Sequence, residues 1–282
     1  MAISASNEDD TSFDFALWLE KDVAPSKTSM DEVYEAVLEQ GRRLSVASLV
    51  SNFPSLSNTM FVLASTKHAS GDYEQALKVL DGHWELVVKA EAVFKFPREV
   101  VRCLALESQI HTEHGDLQAS VRCNRILWKL LKQYEWIAEE REFESLRTRI
   151  STSLALAAAL KDDCLGAEYF LGDAVHYARQ VVVSHNIRDE QYAEGFARDV
   201  FKLLHASLQA YFYLKYNTSS KCKNTFKRSA RAAYDVIFAV EPSALPHWKD
   251  LKRNIKEDAK ERTKQRKEAI KRLQEAQKTY RT

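Results

Sequence analysis

The residues best suited to hold a metal ion are two histidines in the run His111-Thr112-Glu113-His114. A zinc-binding helix of the hydrolytic kind needs H-E-x-x-H, with histidines at i and i+4 on one face, and this H-x-x-H does not supply it. The run ends immediately before Gly115, where a helix stops and histidine is favoured toward the dipole. Its expected role is structural, with no metal. Asp162-Asp163-Cys164 sets acids beside a thiol nucleophile, but no histidine lies near in sequence to act as base. A turn position explains the two aspartates as helix caps. Glu139-Glu140 and Glu142/Glu144 read as the exposed face of a helix beginning near Ala138. Arg42-Arg43-Leu44-Ser45 has the form of a basophilic kinase site, but such tetrapeptides are common and Ser45 reads first as a helix start or cap. No dinucleotide fingerprint, Walker loop or G-x-S-x-G occurs, and seven scattered glycines are too few for most phosphate cradles. The expectation is no catalytic residue, no metal ligand and no cofactor.

Any chemistry would have to be positioned by helices. The 282 residues are 45% apolar and 29% charged, which suits a folded chain with a sizeable core. Only 7 Gly and 5 Pro argue against turn-rich sandwiches and barrels. Between Pro97 and Pro242 there is no proline, as expected for helix following helix. The fold class is therefore all-α. Short amphipathic helices are expected over 13–24 and 30–42, a mixed segment over 43–55 with a break at Phe53-Pro54-Ser55, and helical periodicity from there on. A long apolar helix is expected over 189–216, a polar break at Asn217 to Ser220, another helix to about Val240, and a boundary at Glu241 to Pro246.

Cys103, Cys123, Cys164 and Cys222 match no zinc or disulfide spacing. They read as four small apolar thiols, with a reducing compartment to follow. Residues 1–12 are small, polar and acidic, read as a disordered N-terminus without a secretory or transit pattern. No stretch is apolar enough to span a membrane. A cytoplasmic location is expected, with the nucleus as the alternative.

An internal repeat is the most informative feature. Leu63–Leu80, Leu106–Leu127 and Leu154–Ala178 each read as helix, short polar break, helix. Aligned on Gly71-Asp72, Gly115-Asp116 and Asp162-Asp163, the breaks fall 44 and 47 residues apart. Leu63-Ala64, Gly71-Asp72-Tyr73 and Ala76 form a Leu-small pair, a turn and a small residue. The third unit keeps Leu154-Ala155, Ala167, Leu171 and Ala174, and the second keeps Gly115-Asp116 with Ala119-Ser120. Small side chains let two helices approach closely, and the turn needs a residue tolerant of positive φ. Over residues 56–180 this pattern resembles the tetratricopeptide repeat. The spacing is longer than that family's period of about 34 residues. Val88 and Arg179 stand where its helix-closing proline would be, so the second helices should run on. The resemblance implies antiparallel hairpins stacked as an α-solenoid over 13–241, binding a protein partner, either a peptide or a helix, in its groove.

Charge is unevenly shared. Residues 219–282 carry 18 Lys/Arg against 8 Asp/Glu, a net of +10, leaving −9 on the rest of a chain of net charge +1. Segment 242–282 reads as a basic helix with a narrow stripe at Leu251, Ile255, Ala259, Ile270, Leu273, Ala276 and Tyr280. Lys221, Lys223, Lys227, Arg228 and Arg231, with Lys252, Arg253, Lys256, Lys260, Lys264, Lys267 and Lys271, are the candidate contacts for an anionic partner. The helix reads as a solvated cap, a docking helix for protein, or a contact for nucleic acid or anionic lipid. Interspersed acids and the lack of a base-stacking motif count against nucleic acid. Tyr211, Phe212, Tyr213 and Tyr216 read as core, and Trp84, Trp128 and Trp136 as hairpin packing or, for an exposed one, a peptide anchor.

The function expected from these features is a non-enzymatic adaptor or scaffold subunit, with the basic helix as a second contact. An acidic body and a basic tail also suit a homo-oligomer. The competing reading is an RNA-, DNA- or ribonucleoprotein-binding subunit that uses residues 219–282, and a third is an enzyme whose site is assembled from distant helices.

Overall fold

A computed structural model of the chain describes Trp18, Leu19, Lys21, residues 29–138, Phe143, and residues 146–184, 190–240 and 246–279. The expected disordered N-terminus, most of the helix expected over 13–24, the carboxylates Glu139, Glu140, Glu142 and Glu144, and residues 241–245 of the proline boundary lie outside the described residues. Among the described residues there is no strand, and consecutive helices pack in pairs: the protein is all-α. The chain divides into two compact units, Met1–Ile137 and Ala138–Thr282.

The first unit contains α1 (Met30–Arg43), α2 (Val46–Ala69), α3 (Tyr73–Lys89), α4 (Ala92–Lys95), α5 (Pro97–His114) and α6 (Leu117–Gln133), and α7 (Glu135–Ala138) lies at its end. Helices α2 and α3 form one hairpin and α5 and α6 the next, with α5 packed against both α2 and α3. A capping box starts α1: Ser29 Oγ accepts from the Glu32 amide, and the Glu32 carboxylate accepts from the Ser29 amide. Arg42 binds the Glu85 carboxylate with two nitrogens, at 2.7 to 3.0 Å, and Lys89 Nζ donates to the carbonyls of Arg42 and Leu44 at the end of α1. A Cβ on Gly41 would lie 2.9 Å from Leu86 Cδ1, so a larger residue there would need the Leu86 side chain to shift where α1 settles on α3.

Pro54 does not break the chain; it lies inside α2, in the segment expected to be mixed. Ser45 caps this helix by accepting from the Ser48 amide, which accounts for Arg42-Arg43-Leu44-Ser45 structurally. Pro54 faces solvent, while Leu49, Phe53, Leu56 and Met60 on either side of it are completely buried. Burial of those four side chains offsets the roughly 3 kcal/mol that an interior proline costs a helix.

The second unit contains α8 (Leu146–Ala159), α9 (Cys164–Ser184), α10 (Glu190–Asn217), α11 (Lys223–Val240) and α12 (Trp248–Thr279). Its two hairpins are α8/α9 and α10/α11. Helix α10 packs on both α8 and α9, α9 packs on α11, and α12 packs on α10. The rule is the same as in the first unit: the leading helix of one hairpin sits against both helices of the hairpin before it. Ala155, Ala167, Leu171 and Ala174 share one core with Leu204, Phe212, Phe226, Leu251 and Ile255. Tyr211 and Phe212 belong to that core, and Tyr213 and Tyr216 pack against it.

The three sequence breaks are structurally equivalent turns. Gly71, Gly115 and Asp162 take positive φ (81°, 91° and 57°), and the aspartate that follows each one caps the next helix. Asp72, Asp116 and Asp163 accept from the amides of Gln75, Ala119 and Gly166, at 3.3, 2.9 and 2.8 Å. Eight residues before the capping aspartate stand Ala64, Ser108 and Ala155, and four after it Ala76, Ser120 and Ala167, all buried. Helix α3 continues through Val88 and α9 through Arg179, as the missing prolines require.

The expectation of four free thiols is overturned. Cys164 and Cys222 form a disulfide with their Cα atoms 5.0 Å apart. Cys164 opens α9 and Cys222 immediately precedes α11, and the packing of α9 on α11 brings the two hairpin turns together. Ser220 Oγ, donating to the Ala159 carbonyl at 3.0 Å, ties the same turns a second time. Cys103 and Cys123 are the buried free thiols. The argument from cysteine to a reducing compartment therefore loses its premise.

Candidate functional site

The repeat-packing residues hold the hairpins rather than offering a surface. Leu63, Ala64 and Ala76 in the first unit, and Leu154, Ala155, Ala167 and Ala174 in the second, are buried. Gly71 and Gly115 are at the turns, and the Tyr73 ring lies 5.8 Å from both the His68 and His114 rings, across the ends of two hairpins.

The surface that remains is most distinctive around the disulfide. Leu165 and Tyr169 stand one turn apart on α9 and are 82% and 55% exposed, and Leu160 at the preceding turn is 51% exposed. Lys221 and Lys223 flank Cys222 in sequence, as Leu165 follows Cys164, and the bridge joins the two turns. Arg228 on α11 reaches Glu168 at 3.5 Å, next to Tyr169. Leu160, Leu165 and Tyr169 are thus exposed apolar side chains near the bridged turns, among charged residues of both signs that include Asp162, Asp163, Glu168 and Arg228.

The twelve candidate cations do not act as one group. Arg231 pairs with Asp235 at 2.9 Å and lies over the Tyr234 and Trp248 rings. Arg253 pairs with Asp250, and Lys260 lies 3.9 Å from Glu257. Lys252 and Lys256 are half-buried, whereas Lys221, Lys227 and Arg228 are exposed. Helix α12, 32 residues long, packs through Leu251, Ile255 and Ala259. The side chains of Ile270, Leu273, Ala276 and Tyr280 lie outside the described ones, and Lys264, Lys267 and Lys271 lie on a stretch whose described side chains, from Lys264 to Arg272, are all exposed. A cleft of about 230 Å³ between α10 and α12 is lined by Tyr213, Asn217, Asp258, Arg262 and Thr263 among others, but Arg262 is held by Asp258 and Asn217 by Thr263.

Two side-chain groupings are not visible in the sequence. Ser57 Oγ lies 2.9 Å from His83 Nε2 and 3.8 Å from Cys103 Sγ, a hydroxyl, a base and a thiol in one place. All three are sealed in the core, where burial pushes the His83 pKa down to about 4 and the Cys103 thiol up to about 12, so no substrate reaches them. The second grouping is Glu107, His111 and Cys123. His111 is thus placed with a glutamate and a cysteine, while the His114 ring lies tilted 5.8 Å from that of Tyr73. The only signals for these groupings are the i, i+4 spacing of Glu107 and His111 and the register of each hairpin.

No family model matches the chain, and neither a curated protein nor a solved structure matches it. The likeness to tetratricopeptide repeats rests on the three turns and their small residues alone. Among the described residues no helix is long and apolar enough to cross a membrane.

Proposed function

We propose that the chain is a non-enzymatic adaptor or scaffold subunit whose hairpins stack as a tetratricopeptide-like solenoid and dock a protein partner. The observation that carries this reading is the exposed pair Leu165 and Tyr169 on α9, with exposed Leu160 at the preceding turn and Arg228 reaching Glu168 beside Tyr169. Aromatic and aliphatic anchors inside a charged rim are the composition of a protein contact. The complementary ligand is a segment that alternates apolar and charged side chains. Helix α12 is a second contact, through its exposed cations. A cytoplasmic or nuclear setting is the part of this proposal that the Cys164–Cys222 bridge counts against, since such bridges persist in oxidising compartments.

The reading that favours RNA or DNA rests on Lys264, Lys267 and Lys271. Against it, Arg228, Arg231, Arg253 and Arg262 already have acidic partners, which lowers the positive field a polyanion would meet. A nuclease-treated capture from native extract, repeated over a salt series, separates the two. The adaptor reading expects protein partners that survive nuclease and depend weakly on salt. Loss with nuclease, or a steep fall with salt, contradicts it.

A further inference from the structure

Glu107 and His111 share one face of α5, and Cys123 faces them from α6 across the second hairpin. Glu107 Oε1 lies 3.8 Å from His111 Nε2 and 3.4 Å from Cys123 Sγ, and one ligand atom from each residue lies within 4.8 Å of the others. Zinc held by sulfur at about 2.3 Å and by nitrogen and oxygen at about 2.0–2.2 Å puts neighbouring tetrahedral ligand atoms roughly 3.3–3.8 Å apart. The cluster is within a rotamer adjustment of that spacing.

Its surroundings suit a metal as well. Glu107 Oε2 accepts from Trp84 Nε1 at 2.7 Å, which orients the carboxylate and leaves Oε1 toward the cluster. By contrast, His111 Nδ1 is buried and has no hydrogen-bond partner among the described residues, so the ring lacks the outer acceptor that ordinarily orients a metal-bound imidazole. The Glu107 and His111 side chains keep 16% and 17% exposure, enough for an ion to arrive from one side.

We propose that Glu107, His111 and Cys123 form a three-ligand site for a divalent metal ion of the zinc class, with the fourth position open to water. The donor set argues for zinc over magnesium or calcium, which take oxygen ligands. Charge balances: one thiolate and one carboxylate neutralise the ion, and the imidazole binds neutral. Binding breaks the S–H bond, forms the S–metal bond and releases that proton to solvent.

Cobalt(II) titration of the metal-free full-length protein, with zinc as competitor, tests the site. The expected result is a tetrahedral cobalt spectrum with a thiolate-to-cobalt charge-transfer band, saturating near about one ion per chain and bleached by zinc. Cys123→Ser should lose the band and Cys103→Ser should keep it. Trp84→Phe should keep the band and bind roughly 10- to 100-fold more weakly, because the carboxylate is no longer oriented. Should Cys123→Ser fail to fold by circular dichroism, Glu107→Gln replaces it and must weaken binding at least about tenfold. No thiolate band in the wild-type protein, a band that survives in folded Cys123→Ser, unweakened binding by Glu107→Gln, or a band lost with Cys103→Ser overturns the proposal.

Discussion

Cys164 and Cys222 join the turn of the third hairpin to the turn of the hairpin that follows it, across 58 residues of sequence. Alkylation of the unfolded, unreduced protein should therefore modify two cysteines, Cys103 and Cys123, and four after reduction. Chain-entropy arguments put a bridge over a loop of this length at about 4 kcal/mol. Replacing both cysteines with serine should lower the unfolding free energy of the second unit by up to that amount, measured by denaturant titration of the unreduced proteins. Four reactive thiols before reduction would contradict the bridge.

Gly71 and Gly115 hold positive φ with nothing near enough to obstruct a Cβ. Alanine at either position should then cost only the backbone term, about 1–2 kcal/mol, read as a lower midpoint of chemical unfolding. Asp162 occupies the same conformation with a side chain already present, so Asp162→Gly should be close to neutral or slightly stabilising. Equal losses at all three positions would refute the equivalence of the turns.

His83 carries a pH signature. Its ordinary pKa of 6.5 is lowered to about 4 by burial. The unfolded chain therefore takes up a proton at a pH where the folded chain does not. This contribution is complete above about pH 6.5, falls as pH drops toward about 4 and levels off below it, with a span of about 3 kcal/mol. Denaturation at a series of pH values across that window should show the slope in the wild-type protein and lose it in His83→Gln.

Arg147 and Asp173 form a buried ion pair in the second unit, with the guanidinium 3.2 Å from the carboxylate and 4.5 Å from the Tyr177 ring centre. Arg147→Met or Asp173→Leu alone leaves a buried charge facing an apolar neighbour and should cost about 3–5 kcal/mol. The double replacement should recover most of that loss. A double-mutant cycle of unfolding free energies measures it, and additive losses would contradict a coupled pair.

The parts of this architecture set by local chemistry can be read from the chain. Gly71-Asp72, Gly115-Asp116 and Asp162-Asp163 announce their turns because positive φ and an aspartate cap are properties of a few adjacent residues. Pro54 misleads because a local breaker loses to the burial of Leu49, Phe53, Leu56 and Met60, a tertiary effect. Cys164–Cys222 and Glu107–His111–Cys123 are hidden for a related reason: each depends on how neighbouring helices register, and spacing along the chain does not encode that. The exposed patch becomes visible only once Leu165 and Tyr169 are seen to escape the core that buries Ala167 and Leu171 on the same helix.

The most direct test of the adaptor account is a nuclease-treated, quantitative capture from native extract with three full-length proteins: wild type, Leu165→Glu/Tyr169→Glu, and Lys264→Glu/Lys267→Glu/Lys271→Glu. Every substitution is at an exposed position, so folding should be retained and is checked by circular dichroism. The account predicts that the wild-type protein partners persist through nuclease, are lost from the α9 variant and are weakened but retained by the α12 variant. Partners that vanish with nuclease or with the α12 charges, and are indifferent to Leu165 and Tyr169, would contradict it.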